Sequence, residues 1–235
     1  MSSPNWSNVQ NPPSPAYIGQ WAKKMAIGGV ETEEAIQSYL ANFRHLIDLA
    51  LWTRIPTERF FKALEGLRLV RLSTKLDSLS AIHLRSTQVW GSVTHLDVTI
   101  FHLRTSSSSQ TSTTPAVQKE WKDLGHLPSL THLAINELVT LKDISDILSA
   151  CTKLELLVIF RHHFAWSFPP ADTASPSSPL RDPRVVLMTM RRYMVDEWYA
   201  GAVGERDFWQ DAMQWSDARR RTSILSASYN MLILS

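Results

Sequence analysis

Cysteine is nearly absent from this chain. Of 235 residues only Cys151 carries a thiol, so no internal disulfide can form and a disulfide-stapled scaffold is excluded. Its setting, I-L-S-A-C at 147–151, is apolar and predicts a buried small hydrophobe rather than a reactive thiol. Long hydrophobic runs are missing as well: no stretch reaches the roughly 18 uninterrupted apolar residues that a membrane helix needs. The opening M-S-S-P-N-W-S-N shows neither the basic nor the apolar region of a secretory leader. These absences lead to the expectation of an intracellular protein, cytoplasmic or nuclear, with no membrane partner. Charge of one sign is also lacking. The 24 Lys and Arg against 22 Asp and Glu leave a net +2, too little for the positive field that draws nucleic acid non-specifically.

Catalytic and cofactor signatures are missing too. Gly28-Gly29 and Gly201-Ala202-Val203-Gly204 lack phosphate-loop spacing and the following Lys-Ser/Thr. No G-x-S-x-G elbow is present for a nucleophilic serine. His126, His132, His162 and His163 have no second cysteine near them, and adjacent histidines point to opposite faces of an extended chain. The expectation is therefore no cofactor, no metal, no catalytic residue, and a protein that is not an enzyme.

What the sequence does contain is a recurring phrase. L-x-x-L-x-L and its variants begin at Leu46, Leu69, Val93, Leu130 and Leu154, so successive copies start 23, 24, 37 and 24 residues apart. The long interval holds T-S-S-S-S-Q-T-S-T-T-P-A-V at 105–117, a Ser/Thr insertion whose removal restores the period. A period of roughly 20–29 residues with this apolar spacing predicts stacked units, each a short strand and a returning helix. The segments P-T-E-R-F-F-K-A-L-E-G-L at 56–67 and L-K-D-I-S-D-I-L-S-A-C at 141–151 place their apolar residues on one helical face, as that reading requires. The fold expected is α/β, a short irregular leucine-rich-repeat solenoid with parallel strands.

Around this core the chain divides as follows. Residues 1–16, rich in Pro, Ser and Asn, read as a disordered tail. Residues 17–43 read as two short helices broken near Gly28-Gly29, with Thr32 as a cap. The repeat domain spans 44–190, with loop insertions at 105–117 and 167–183 and a last strand in R-V-V-L-M-T-M. Residues 191–221 read as a long helix interrupted at Gly201 or Gly204, whose aromatics cap the terminal repeat. Residues 222–235 are an apolar tail without an assignment.

The phrases L-P-S-L-T-H-L-A-I-N, I-L-S-A-C-T-K-L-E-L-L-V-I-F, D-P-R-V-V and G-A-V-G-E-R-D-F-W resemble the leucine-rich-repeat portion of the F-box-like proteins of mushroom-forming fungi, over roughly residues 44–212. That resemblance implies a solenoid that holds a protein substrate for a ubiquitin ligase, with a ligase adaptor as a further partner. The first 43 residues carry no L-P-x-E-L opening, so the implied protein is a substrate-receptor arm without a clear F-box.

Side chains alternate along a strand, so the residues flanking the repeat leucines share the opposite face. The candidate partner-binding surface is Asp48, Trp52, Arg71, Lys75, His95, Asp97, His132 and Asn136. A fifth row, Leu156, Val158 and Phe160, is apolar and either lies under the C-terminal segment or anchors a partner. The reading is a protein-interaction module. Two others stand beside it, a hydrolase or transferase with an unrecognised site and a paralogue without activity.

Overall fold

The computed structural model describes residues 22–28, 32–52, 64, 66–75, 90–99, 121–136, 139–161, 175, 178–189 and 194–222. The insertion at 105–117, the tail at 1–16 and residues 223–235 lie outside them, as do all of 53–63 and all of 167–177 except 175.

Seven strands form one sheet: β1 Lys24–Ile27, β2 Asp48–Leu51, β3 Arg71–Lys75, β4 His95–Thr99, β5 His132–Asn136, β6 Leu156–Arg161 and β7 Val185–Thr189. Every neighbouring pair is parallel, and the spatial order is the chain order. The architecture is thus α/β, with each strand added beside its predecessor and no reversal in the order. The repeat leucines set the register: Leu49 pairs with Leu72, Leu72 with Leu96, Leu96 with Leu133, and Leu133 with Leu157. A slip by one residue would turn this row to the opposite face, so the leucines themselves fix the alignment.

One face of the sheet packs on the connecting segments. Helix α1, Glu33–Asn42, returns from β1 to β2, and α2, Leu141–Ala150, returns from β5 to β6. Ile36 and Leu40 of α1 and Ile144 and Ile147 of α2 enter the leucine core together with Trp90, Trp121, Leu124 and Leu180. Each helix starts on a threonine. Thr32 Oγ1 accepts from the Ala35 amide at 3.2 Å, and Thr140 exchanges bonds with Asp143, whose carboxylate takes the Thr140 amide at 2.8 Å. These caps satisfy amides that the first helical turn leaves without partners. Gly125, in the 3-10 turn Trp121–His126, allows that turn to press against α2, where a Cβ would lie 2.8 Å from the Ala150 carbonyl oxygen.

Two further helices, α3 Met194–Ala202 and α4 Phe208–Thr222, lie across the other face. Trp198, Phe208, Trp209 and Ala212 pack there on Ala50, Trp52, Ala134, Leu156, Val158, Phe160 and Val186 as a second core. The sheet is therefore buried on both sides, as parallel sheets generally are. The helices are tied at both ends: Lys24 Nζ donates to the Gly201 carbonyl at 3.0 Å, Ser216 Oγ to that of Pro183 at 3.0 Å, and Arg220 to that of Glu155 at 2.8 Å. The turn between them passes through Gly204 at φ +84°, which a side chain would strain.

Three expectations change. Residues 24–27 form a strand rather than the first of two helices. Four residues are too few to distinguish a period of two from one of 3.6, and the open edge of β2 supplies hydrogen-bond partners only in the assembled sheet. The helix expected at 191–221 is interrupted near Gly204, one of the two glycines anticipated, but its two parts cover the strand face rather than capping the end of the stack. The loop at 167–183 contains a 3-10 turn, Pro179–Arg181, capped by Ser178. Among the described residues no helix is long and apolar enough to cross a membrane.

Candidate functional site

The period-two alternation places the strand residues in rows. Lys24, Asp48, Arg71, His95, His132 and Leu156 are lateral neighbours across six strands. The next row is Ala50, Ser73, Asp97, Ala134 and Val158. Farther along lie Lys75, Thr99 and Asn136. The candidate residues of the strands thus fall on one face, but that face is not open. Asp48, Trp52, Asp97 and Asn136 are buried, Arg71, His95 and His132 are half-buried, and α3 and α4 lie over Asp48, Trp52, His95, Asp97 and His132. The apolar row Leu156, Val158 and Phe160 lies beneath the C-terminal helices, one of the two outcomes its composition allowed. Lys75 is placed in β3 by its backbone, and its side chain lies outside the described atoms.

Arg71 is the electrostatic centre. Its Nη2 donates to Asp207 Oδ2 at 3.0 Å, and its Nε lies 3.7 Å from Asp48 Oδ2. Asp207 also accepts the Gln210 amide at 3.1 Å, so one carboxylate caps α4 and fastens its start to β3. Gly201 makes room for it, since a Cβ there would lie 2.5 Å from Asp207 Oδ2. Trp198 Nε1 donates to Asp48 Oδ1 at 3.1 Å. Burial raises the Asp48 pKa above its ordinary 3.8, against the pull of Arg71 and the indole bond.

A second chain runs inward. Trp52 Nε1 donates to Ser73 Oγ at 3.0 Å, and Ser73 Oγ donates to Asp97 Oδ2 at 2.8 Å. Burial pushes the Asp97 carboxyl up to about 7, with the Ser73 bond and the Arg71 charge only partly opposing it. A small gap between this chain and the cover, about 10 Å³, is lined by Asp48, Arg71, Ser73, His95, Asp97, Trp198, Phe208 and Trp209. That is room for about one water.

His95 and His132 stack with ring centroids 4.1 Å apart and planes 12° apart, and the edge of Trp209 meets both at 5.3 and 5.8 Å. The preceding threonines hold both rings: Thr94 Oγ1 and Thr131 Oγ1 donate to the carbonyls of Val70 and Thr94, just before β3 and β4, at 3.2 Å, and lie 2.9 and 2.8 Å from the imidazole Nδ1 of His95 and His132. Burial, then the charge of His132 and that of Arg71, hold His95 down at about 3; burial also lowers His132, with Glu155 opposing and Arg71 adding to it.

These shifts have opposite consequences for stability. The folded value of Asp97 lies above its ordinary 3.8, so the folded state keeps a proton that the unfolded chain releases. Its contribution to stability falls as pH rises from about 4 to about 7. His95 lies below its ordinary 6.5, so the unfolded chain takes up the proton first, and stability is lost as pH drops from 6.5 toward 3. Between about 4 and 6.5 the two slopes oppose each other. Asp97→Asn should therefore be more stable than the wild type at pH 8, with the gap closing toward pH 4, as read from denaturant midpoints. A gap of constant size across that range would contradict the assignment.

Sequence reasoning missed Trp198, Asp207, Phe208 and Trp209 as members of this site. One signal was present: Asp207 directly precedes a helix, the position a capping carboxylate takes. Cys151 is buried in the leucine core, and burial pushes its thiol up to about 11, as its apolar setting led one to expect. No family model, no curated protein and no solved structure matches this chain.

Proposed function

We propose that the chain is a leucine-rich-repeat interaction module of the F-box-like kind, the substrate-receptor arm of a ubiquitin ligase, acting by binding another protein. The observation that carries the reading is the lateral row of repeat leucines across parallel strands in chain order, the arrangement in which each unit stacks only on its neighbours. The helices α3 and α4 occupy the centre of the strand face, so in this reading a partner meets the cover. Val195, Tyr199 and Val203 project there at four-residue spacing with 47%, 56% and 51% of their surface exposed. An enzyme reading would rest on Asp97 and His95, whose protonation equilibria are displaced. Burial accounts for both displacements, and the gap above them admits about one water.

The test is affinity capture of the tagged full chain followed by mass spectrometry, set beside Tyr199→Glu. A partner retained by the wild type and lost by the variant, with the ligase adaptor recovered alongside, is the expected result. Recovery of nothing beyond the tag-only control would overturn the module, and partners without the adaptor would remove the ligase role.

A further inference from the structure

Three buried oxygen atoms on neighbouring positions of the covered face have no hydrogen-bond partner: Asp97 Oδ1, Thr99 Oγ1 and Asn136 Oδ1. Their residues are 5%, 2% and 9% exposed. Thr99 and Asn136 are Cα partners across β4 and β5, and Asp97 precedes Thr99 by two residues on the same face, so the three belong to one patch. Buried polar atoms are almost always paired, and three without partners on one patch point to a common one.

Charge decides what that partner is. The other Asp97 oxygen is taken by the Ser73 hydroxyl, and the Arg71 guanidinium is committed to Asp207 and Asp48. Above about pH 7, where Asp97 ionises, a water could bridge the three atoms but would leave the carboxylate with only the pull of Arg71, a cation already paired elsewhere. Among the described residues no three His, Cys, Asp or Glu side chains gather in a metal-binding group, so the donor set is one carboxylate with a hydroxyl and an amide oxygen. Such oxygens suit a hard cation. With a single negative charge among them, a divalent ion would leave net charge buried, whereas a monovalent ion balances it.

We propose that Asp97, Thr99 and Asn136 form an internal site for one alkali cation of sodium or potassium size. Ser73 is a positioning residue here: held by the Trp52 indole, it fixes the carboxylate through the oxygen that does not bind the ion. The ion competes with a proton for Asp97, so the stabilisation of Asp97→Asn at high pH described above appears in alkali-free buffer and shrinks when the ion is present.

Thermal unfolding of the full chain at about pH 8 tests this in sodium, potassium and tetramethylammonium chloride of equal ionic strength, the last ion being too large to enter. An alkali salt should raise Tm by roughly 3–6 °C when tenfold above its dissociation constant. Asp97→Asn should abolish the difference, and Thr99→Val should reduce it should the first variant fold poorly. Equal melting in all three salts, or a difference that survives in Asp97→Asn, would overturn the site. Lys75→Met is the further control, because the Cα of Lys75 pairs with that of Thr99. A salt difference seen only in that variant would make the lysine ammonium the native partner and would also overturn the proposal.

Discussion

Arg71→Met is expected to destabilise the fold by about 3–5 kcal/mol, the range for removing one partner from a buried ion pair. The loss comes less from the contacts of Arg71 than from what it leaves behind. Asp48 and Asp207 are both 3% exposed; Asp48 would keep the Trp198 indole and the weaker pull of the Lys24 charge on the neighbouring strand, and Asp207 the Gln210 amide. Arg71 keeps a quarter of its side chain in contact with water, which places the expected loss at the lower end of the range. The cause has a pH signature. Asp48, whose pKa burial already raises, would lose the opposing pull of Arg71, and protonating it removes a buried charge, so the deficit against the wild type should shrink as pH falls from neutrality toward about 4. Urea unfolding at both ends of that interval reads it, and Arg71→Met with Asp207→Asn should recover part of the loss because the two residues touch. A deficit that ignores pH would mean that Arg71 matters for its packing alone.

The parts of this structure legible in the sequence are those written locally. Leu49, Leu72, Leu96, Leu133 and Leu157 stand in a repeated phrase, and a repeated phrase stacked on itself fixes strand, register and face together. The same alternation places Asp48, Arg71, His95 and Asp97 on one surface from the sequence alone. It was silent on whether that surface is open, because the answer lies in contacts such as Trp198 with Asp48, 150 residues apart in the chain. The strand β1 was hidden for the same reason: K-M-A-I acquires its meaning from the edge of β2. The helical character of 194–222 was readable from its spacing, while its docking face was not. Trp198, Phe208 and Trp209 are aromatic on a helix in any fold, and only the apolar row Leu156, Val158 and Phe160 beneath them selects where they go.

That docking carries the second large effect. Trp209→Ala should cost about 3–5 kcal/mol, the range for truncating a buried tryptophan. Trp209 is 4% exposed, lies against Phe208 with centroids 4.7 Å apart, and closes the edge of the His95–His132 stack. Phe208 in turn meets Phe160 at 5.0 Å, so the substitution leaves a hole at the point where α4 joins the sheet. Local loosening and global weakening can be told apart through the histidines. Their pKa values lie low chiefly because they are buried, so water admitted by the missing indole should move both upward, His95 from about 3 toward its ordinary 6.5. Proton NMR titration of the two rings would follow that rise in the folded variant, and denaturant unfolding would give the loss of stability. If stability fell with both histidines unmoved, Trp209 would contribute its own buried area and not the sealing of the row. If neither changed, the second core would not depend on Trp209, and the cover would be held by its polar ties through Arg71, Ser216 and Arg220 instead.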